Sequence, residues 1–312
     1  MKKKSFPLAI VIPAYKGNYL AKALDSIAVQ TCQDFTLYIG DDCSPYDIEN
    51  IVSPYYNRID LVYKRFDINL GGHDLVAQWE RCIDMTQGEE YIWLFSDDDV
   101  MEENCVEAFY TEINDHPQAG LLHFNVSCIS ATDELIEEFP SFPPCLSVKD
   151  FIDKRLLGHI RSFVVEFVVR RDVYNRAERF EKYDLAWGSD YVSCIKFATM
   201  SGGVIRTCRD AKVKWRSSGE NISTDYNNGM LVRKLKAFIR FTFWVYQYSR
   251  KHHYGHPFFY AKSAFVEIVR YKHLLALHQY VGLWLLALKQ FGFHMVPVVC
   301  DLPHYLSYRK TF

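Results

Sequence analysis

The sequence predicts an α/β fold: a mostly parallel central sheet with helices on both faces, followed by a helical C-terminal region. Three observations carry this prediction. The first hundred residues alternate apolar runs of strand length with stretches of helical period, the β-α-β-α-β pattern of a parallel sheet. Two of those apolar runs end abruptly in acids, Asp41-Asp42 and Asp97-Asp98-Asp99. From Met230 onward the chain becomes aromatic, basic and helical in period.

Residues 8–12 are an apolar strand closed by Pro13, and Asn18 is a candidate N-cap for the helix that follows. Leu20, Ala23, Leu24, Ile27 and Ala28 then recur at helical spacing. Residues 35–39 are a second strand and residues 59–64 a third. The turn Asn69-Leu70-Gly71-Gly72 opens a helix with Leu75, Val76, Trp79, Cys82 and Ile83 on one face, and residues 91–95 form the next strand. Beyond Asp99 the alternation loosens. Strands are expected over 121–129 and 163–169, a Pro-marked loop over 140–144 and a helix over 148–157. Trp187-Gly188-Ser189-Asp190 opens a further apolar helix, with Asp190 in the first turn, where the helix dipole favours a carboxylate. In the tail, Leu231, Leu235, Phe238 and Thr242 share one side of a helix, and Arg233, Lys236 and Arg240 another. Residues 273–288 are a second tail helix, and residues 295–299 are an apolar stretch.

The acidic triplet is the most informative feature. Adjacent like charges repel, so folding alone gives little reason to set three acids side by side; a divalent cation turns the repulsion into coordination. The bland alternative is a solvated acidic loop after a buried strand. Right-handed crossovers bring the carboxyl ends of parallel strands to one edge, where such sheets bind ligands. The two acidic clusters therefore converge on one crevice.

Composition narrows the class. With 312 residues, 49% of them hydrophobic, the chain can bury the core of one large domain, with or without an appendage. Its nine cysteines are scattered, without a CxxC pair, which argues against a disulfide framework or a zinc site and for a reducing, cytoplasmic compartment. Met1-Lys2-Lys3-Lys4 has the charge of a signal-peptide start, but residues 6–12 are too short and Pro-interrupted for its apolar region. No apolar run is long enough for a transmembrane helix. The net charge of −2 hides an asymmetry: from Ser201 onward 17 basic residues face 5 acidic, and before it 19 face 33. Either the two parts meet different partners or they pair with each other.

The segments "IVIPAYKGNYLAKALDSI", "YIGDDCSP", "NLGG", "YIWLFSDDDVMEENCV" and "WGSDYV", in this order, resemble the inverting family-2 glycosyltransferases over roughly the first 220 residues. The resemblance implies the glycosyltransferase-A fold and a nucleotide-sugar donor, with a UDP-sugar favoured. It implies a catalytic domain over 1–225, its donor-binding half about 1–100 and its acceptor-binding half about 101–225, with a helical extension over 226–312. Pro13, Ala14 and Tyr15 match the segment lining the nucleobase site. Asp42 matches the acid that accepts a hydrogen bond from the base. Asp97 matches a ribose contact, Asp98 the ligand of Mg²⁺ or Mn²⁺, and Asp99 a neighbour of the metal. Asp190 matches the catalytic base. Many relatives glycosylate lipid-linked intermediates of surface polysaccharides, so a glycan or lipid-linked acceptor is implied.

The chain departs from the family pattern at three places. Ser189 stands where Glu usually precedes the base, Ser96 where an acid usually opens the DXD motif, and Gly72-His73-Asp74 where Ala-Arg-Asn is common. His73 and Arg216 are the candidates to contact the donor diphosphate, with plain surface exposure the alternative for both. The basic aromatic tail reads as packed helices, as a peripheral membrane contact whose cations meet anionic lipid, or as an acceptor or oligomer surface. No nucleic-acid motif accompanies it. Two other functions fit less well. A non-catalytic nucleotide-sugar binder is kept open by Ser189. A nucleotidyltransferase lacks a Gly-rich phosphate loop with Lys after the first strand.

Overall fold

The computed structural model describes residues 7–254 and 257–292. In chain order its elements are β1 (Leu8–Ala14), α1 (Leu20–Ala28), β2 (Phe35–Asp41), α2 (Ile48–Val52), β3 (Leu61–Arg65), α3 (Leu75–Ile83), β4 (Tyr91–Leu94), β5 (Val100–Met101), α4 (Cys105–Asp115), β6 (Leu121–Ser130), β7 (Leu135–Glu138), β8 (Cys145–Ser147), α5 (Val148–Leu157), β9 (Phe167–Arg170), α6 (Arg171–Arg176), α7 (Ser189–Met200), β10 (Val204–Ser217), α8 (Asn228–Lys251), α9 (Pro257–Arg270) and α10 (Leu277–Phe291). The apolar stretch expected over 295–299 lies outside the described residues.

The chain divides into two compact units. The first holds Met1–Glu181 and Ser193–Asn221, the second Lys182–Val192 and Ile222–Phe312. The first unit is built on one sheet of order β3-β2-β1-β4-β9-β6-β10-β5, with β7 beside β6 and β8 beside β10. Strands β3, β2, β1 and β4 are mutually parallel. Antiparallel β9 separates β4 from β6, and β10 runs parallel to β6. Six strands thus share one direction, as the sequence pattern requires, and the antiparallel strands lie in the second half. β1, β2 and β4 are buried almost throughout because helices cover both faces, which is why they read as unbroken apolar runs.

Helix α1 buries Leu20, Ala23, Leu24 and Ile27, and α3 buries Val76, Trp79, Cys82 and Ile83, the faces their periodicity predicts. Asp74 caps α3 by accepting from the Ala77 N–H at 2.9 Å. Asn18 does not cap α1: its amide donates to the Glu220 carboxylate at 3.1 Å, and Tyr19 stands at the N-cap without a side-chain bond. Helix α5 keeps its predicted bounds because both ends are signalled. Ser147 accepts from the Asp150 N–H, and Gly158 ends the helix at φ +76°. Trp93 stacks on Phe124 with centroids 4.5 Å apart and donates to the Val165 carbonyl at 2.8 Å, joining β4 to β6 in the core. The cysteines among the described residues are free thiols.

The second unit is helical. Its α8 buries Leu231, Leu235 and Thr242. On another side of the same helix Lys236 and Arg240 are exposed and Arg233 pairs with Asp184 at 2.6 Å. Among the described residues no helix is long and apolar enough to cross a membrane.

Candidate functional site

Strand β1 lies between β2 and β4, so three chain segments meet at one carboxyl edge. Residues Pro13 and Ala14 close β1 opposite Gly40 and Asp41, and the Asp42 N–H donates to the Ala14 carbonyl at 2.9 Å. Tyr15 stands beyond the strand with its ring partly in solvent. The N–H groups of Tyr15 and Lys16 both donate to one oxygen of Asp97 at 2.8 Å. The first strand and the acidic triplet are therefore joined directly.

The two acids after β2 are used differently. Asp41 is fully buried and accepts from the Ser44 N–H, the Tyr63 hydroxyl and Arg65. The Asp42 carboxylate accepts from the Leu70 N–H at 2.7 Å, the Gly71 N–H at 2.8 Å and Arg81. A Cβ on Gly71 would lie 2.6 Å from an Asp42 oxygen, so the turn approaches this closely only with glycine. A carboxylate offers about four acceptor positions, which leaves Asp42 about one for a ligand N–H. His73 is exposed in the same turn.

The triplet is buried, with each acid held separately. Burial, then the adjacent Asp98 charge, pushes the Asp97 carboxyl up to about 6, against the pull of its two backbone N–H bonds. The same two causes raise Asp99 well above the carboxylate range, while the Arg216 N–H bonds one of its oxygens at 2.7 Å. Asp98 accepts from the Ser96 hydroxyl at 2.8 Å, from the Lys16 ammonium at 3.3 Å and from the Asn221 amide at 3.5 Å. Ser96 thus orients the middle acid from the position where an acid was expected.

Arg216 is fully buried behind the triplet. Its Nε donates to the Asp98 carbonyl at 2.7 Å, and its Nη1 donates to the Ser130 carbonyl at 2.9 Å and pairs with Asp133 at 2.6 Å. Its guanidinium carbon lies 4.7 Å from the Tyr19 ring centroid, and its Nη2 has no hydrogen-bond partner among the described residues. Arg216 therefore fixes the backbone that carries Asp98 and Asp99. Sequence reasoning missed Lys16, Arg81 and Asn221. Lys16 had one signal: it is the first cation after a strand whose end faces the acids.

The donor set suits a hard cation. Asp98 supplies carboxylate oxygen, and one of its oxygens already accepts a cation, Lys16. Among the described residues no three metal-binding side chains gather. Mg²⁺ is usually held by one or two carboxylates with phosphate oxygens and water filling the rest. Asp98, with Asp99 beside it, fits that pattern.

Asp190 lies in the second unit, in the first turn of α7. The loop before it is tightly constrained. Leu185 and Ala186 hold φ +60° and +54°, and Gly188 holds φ +88°. A Cβ on Gly188 would lie 2.2 Å from the Phe241 ring, so only glycine fits there. Ser189 is buried and accepts from the Tyr183 N–H at 3.0 Å. Asp184 meets Arg233 at both carboxylate oxygens, and this contact holds its carboxyl below the usual range.

Residues 9–163 match the family model described as "Glycosyl transferase family 2". A 113-residue stretch is 28% identical to "Glycosyltransferase GlyG" of Streptococcus pneumoniae serotype 4, covering 35% of this chain and 35% of that protein. A 122-residue stretch is 30% identical to "PGL/p-HBAD biosynthesis glycosyltransferase Rv2957" of Mycobacterium tuberculosis, covering 38% and 46%. The chain thus spans about a third to a half of the length of these curated relatives. The fold is similar to the crystal structure of S. aureus TarS 1-349 in complex with UDP-GlcNAc, with TM-score 0.64 at 14% identity over 88% of this chain and 79% of that one. It is also similar to GalNAc-T7 with UDP, GalNAc and Mn2+, with TM-score 0.53 at 11% identity over 76% and 48%.

Proposed function

The chain belongs to the family-2 glycosyl transferases through its domain at residues 9–163, and from that premise we propose that it moves a sugar, with inversion, from a nucleotide-sugar to an acceptor hydroxyl. The observation that carries this reading is the junction at the sheet edge, where the Tyr15 and Lys16 N–H groups hold Asp97 beside Asp98. A UDP-sugar is the favoured donor. Solved structures of similar fold contain UDP-GlcNAc or UDP, which supports that choice.

In this reading Pro13, Ala14 and Tyr15 line the base site, and Asp42 accepts the base N–H with its remaining acceptor position. Asp97 receives the ribose hydroxyls. Bound Mg²⁺ or Mn²⁺ would neutralise diphosphate charge and make the nucleoside diphosphate a better leaving group. Asp98 would hold that ion, with Asp99 beside it. Arg216 serves the diphosphate indirectly, by fixing the backbone of both acids. Asp190 takes the acceptor proton as the hydroxyl oxygen attacks the anomeric carbon and the bond to the diphosphate breaks. One base suffices for a single displacement, which inverts the configuration. The acceptor class we propose is a glycan or lipid-linked intermediate of surface-polysaccharide type.

A thermal-shift panel of UDP, GDP, CDP and dTDP, each with and without Mn²⁺, tests the donor assignment. Ligands that bind only the folded state raise the melting temperature. One nucleotide, UDP, will raise it in a metal-dependent way. The absence of a shift with all of them would overturn the donor-site reading.

The tail supports a peripheral position on the cytoplasmic face of a membrane. Leu277, Val281 and Leu285 are exposed at successive turns of α10, and Lys289 extends the same row. No acid occurs between Glu267 and residue 292, whereas Lys272 and Lys289 do. An apolar stripe flanked by cations suits an in-plane helix on anionic lipid. Replacing Leu277, Val281 and Leu285 together by Ser will reduce co-sedimentation with phosphatidylglycerol vesicles several-fold; equal partition of both proteins would remove the membrane reading.

A further inference from the structure

We infer that Lys16 is the side chain that meets the donor diphosphate, leaving Asp98 for the phosphate oxygens when the donor binds. This inference rests on the nucleotide-sugar reading above and assigns a residue to it.

The three arginines around the site are committed. Arg65 is bonded to Asp41 and to the Ser44 carbonyl, and Arg81 to Asp42 and the Ile68 carbonyl. Arg216 is sealed from solvent, and its charge is matched by Asp133. Lys16 differs in three respects. Its backbone N–H is fixed on Asp97, so the root of the side chain stands at the proposed ribose contact. Among the described residues its ammonium makes one hydrogen bond, to Asp98 at 3.3 Å, longer than the 2.7–2.9 Å of a strong charge-assisted bond. Its side chain is 26% exposed, whereas that of Asp98 is 5% exposed. Lysine adds a flexible four-carbon stem and rotatable donors, which suit a point charge that changes partner.

The charge balance gives the exchange its direction. A divalent ion on Asp98 and the Lys16 ammonium compete for the same carboxylate. Two cations held on one carboxylate repel each other. The ammonium is therefore driven off Asp98 when a metal arrives. The diphosphate of a nucleotide-sugar brings two negative charges to a site that already holds carboxylates, so one divalent ion does not cancel the total, and the displaced ammonium supplies part of the missing charge. Without ligands, Lys16 relieves the repulsion inside the triplet.

The test compares the full-length wild-type protein with Lys16→Met and Lys16→Arg. UDP and uridine are titrated in the presence of Mn²⁺, uridine being followed by ligand-observed NMR, and Mn²⁺ is titrated alone. Lys16→Met will bind UDP about tenfold or more weakly, bind uridine as the wild type does, and bind Mn²⁺ alone more tightly because the competing ammonium is gone. Lys16→Arg will keep most of the UDP affinity. A Lys16→Met affinity for UDP within twofold of wild type would overturn the inference. So would a parallel loss of uridine affinity, which would show that Lys16 builds the Asp97 turn and does not contact phosphate. If wild type binds uridine but gains nothing from the diphosphate, the inference fails while the base site stands. If wild type binds none of the nucleoside diphosphates, the donor reading fails and this inference falls with it.

Discussion

Asp190→Asn will leave donor affinity at the wild-type level and lower turnover by about a hundredfold or more, the usual contribution of a general base. Asparagine keeps the shape of the side chain and removes its basicity. The loop that presents residue 190 is set by Gly188 against Phe241, by Ser189 under Tyr183 and by the Asp184–Arg233 pair. Folding should therefore survive, and unchanged nucleotide titrations would show it. Turnover is read as transfer or, without an acceptor, as slow hydrolysis of the donor. Unchanged turnover would remove Asp190 as the base. Tight donor binding with no turnover even in the wild type would favour the non-catalytic binder, the alternative that Ser189 keeps open.

Asp98→Ala will abolish the metal-dependent part of nucleotide affinity, a loss of about a hundredfold or more. Changes in the outer shell of a metal site already cost about 10–100-fold, and a direct ligand should cost at least as much. The prediction is specific because Arg216 grips the Asp98 carbonyl and the Asp99 carboxylate bonds the Arg216 N–H, neither of which the substitution removes. Affinity measured without metal should fall little, since Asp42 and Asp97 remain. Mn²⁺-dependent affinity that persists in the variant would take the metal away from Asp98.

How much of this was legible depended on where the stabilising partners lie in the chain. Strands β1, β2 and β4 are sandwiched between helices, so their own residues announce them, and acids at their ends stood out against that apolar background. Helices α1, α3 and α5 carried their signals within one or two turns. Strand β10 went unread although it is the longest strand described, at 14 residues. Its sequence alternates cations with apolar residues, and the cations find acids far away: Arg206 pairs with Glu112, Lys212 with Glu138 and Arg216 with Asp133. Those pairs also account for part of the charge asymmetry, since basic residues after 201 are matched by acids before it. Lys16 and Arg81 were missed for the same reason. The place of Lys16 just after β1 was its one signal, but the local sequence does not say that it reaches an acid 82 positions on, or that Arg81 reaches back to Asp42.

The eleven residues from Lys182 to Val192 belong to the same compact unit as the C-terminal helices, although some thirty residues of the sheet unit separate them in sequence. This makes the tail hard to exchange. A hybrid of two such chains joined near residue 225 would take Asp190 from one parent and Phe241 and Arg233 from the other. The glycine at 188 would then face a stranger's side chain. Two crossovers, one on each side of the 182–192 segment, would be needed in addition to the one at 222 to move the unit intact. Deleting the tail is a poor assay for what the tail binds, because it strips the loop carrying Asp190 of the ring and the ion pair that shape it.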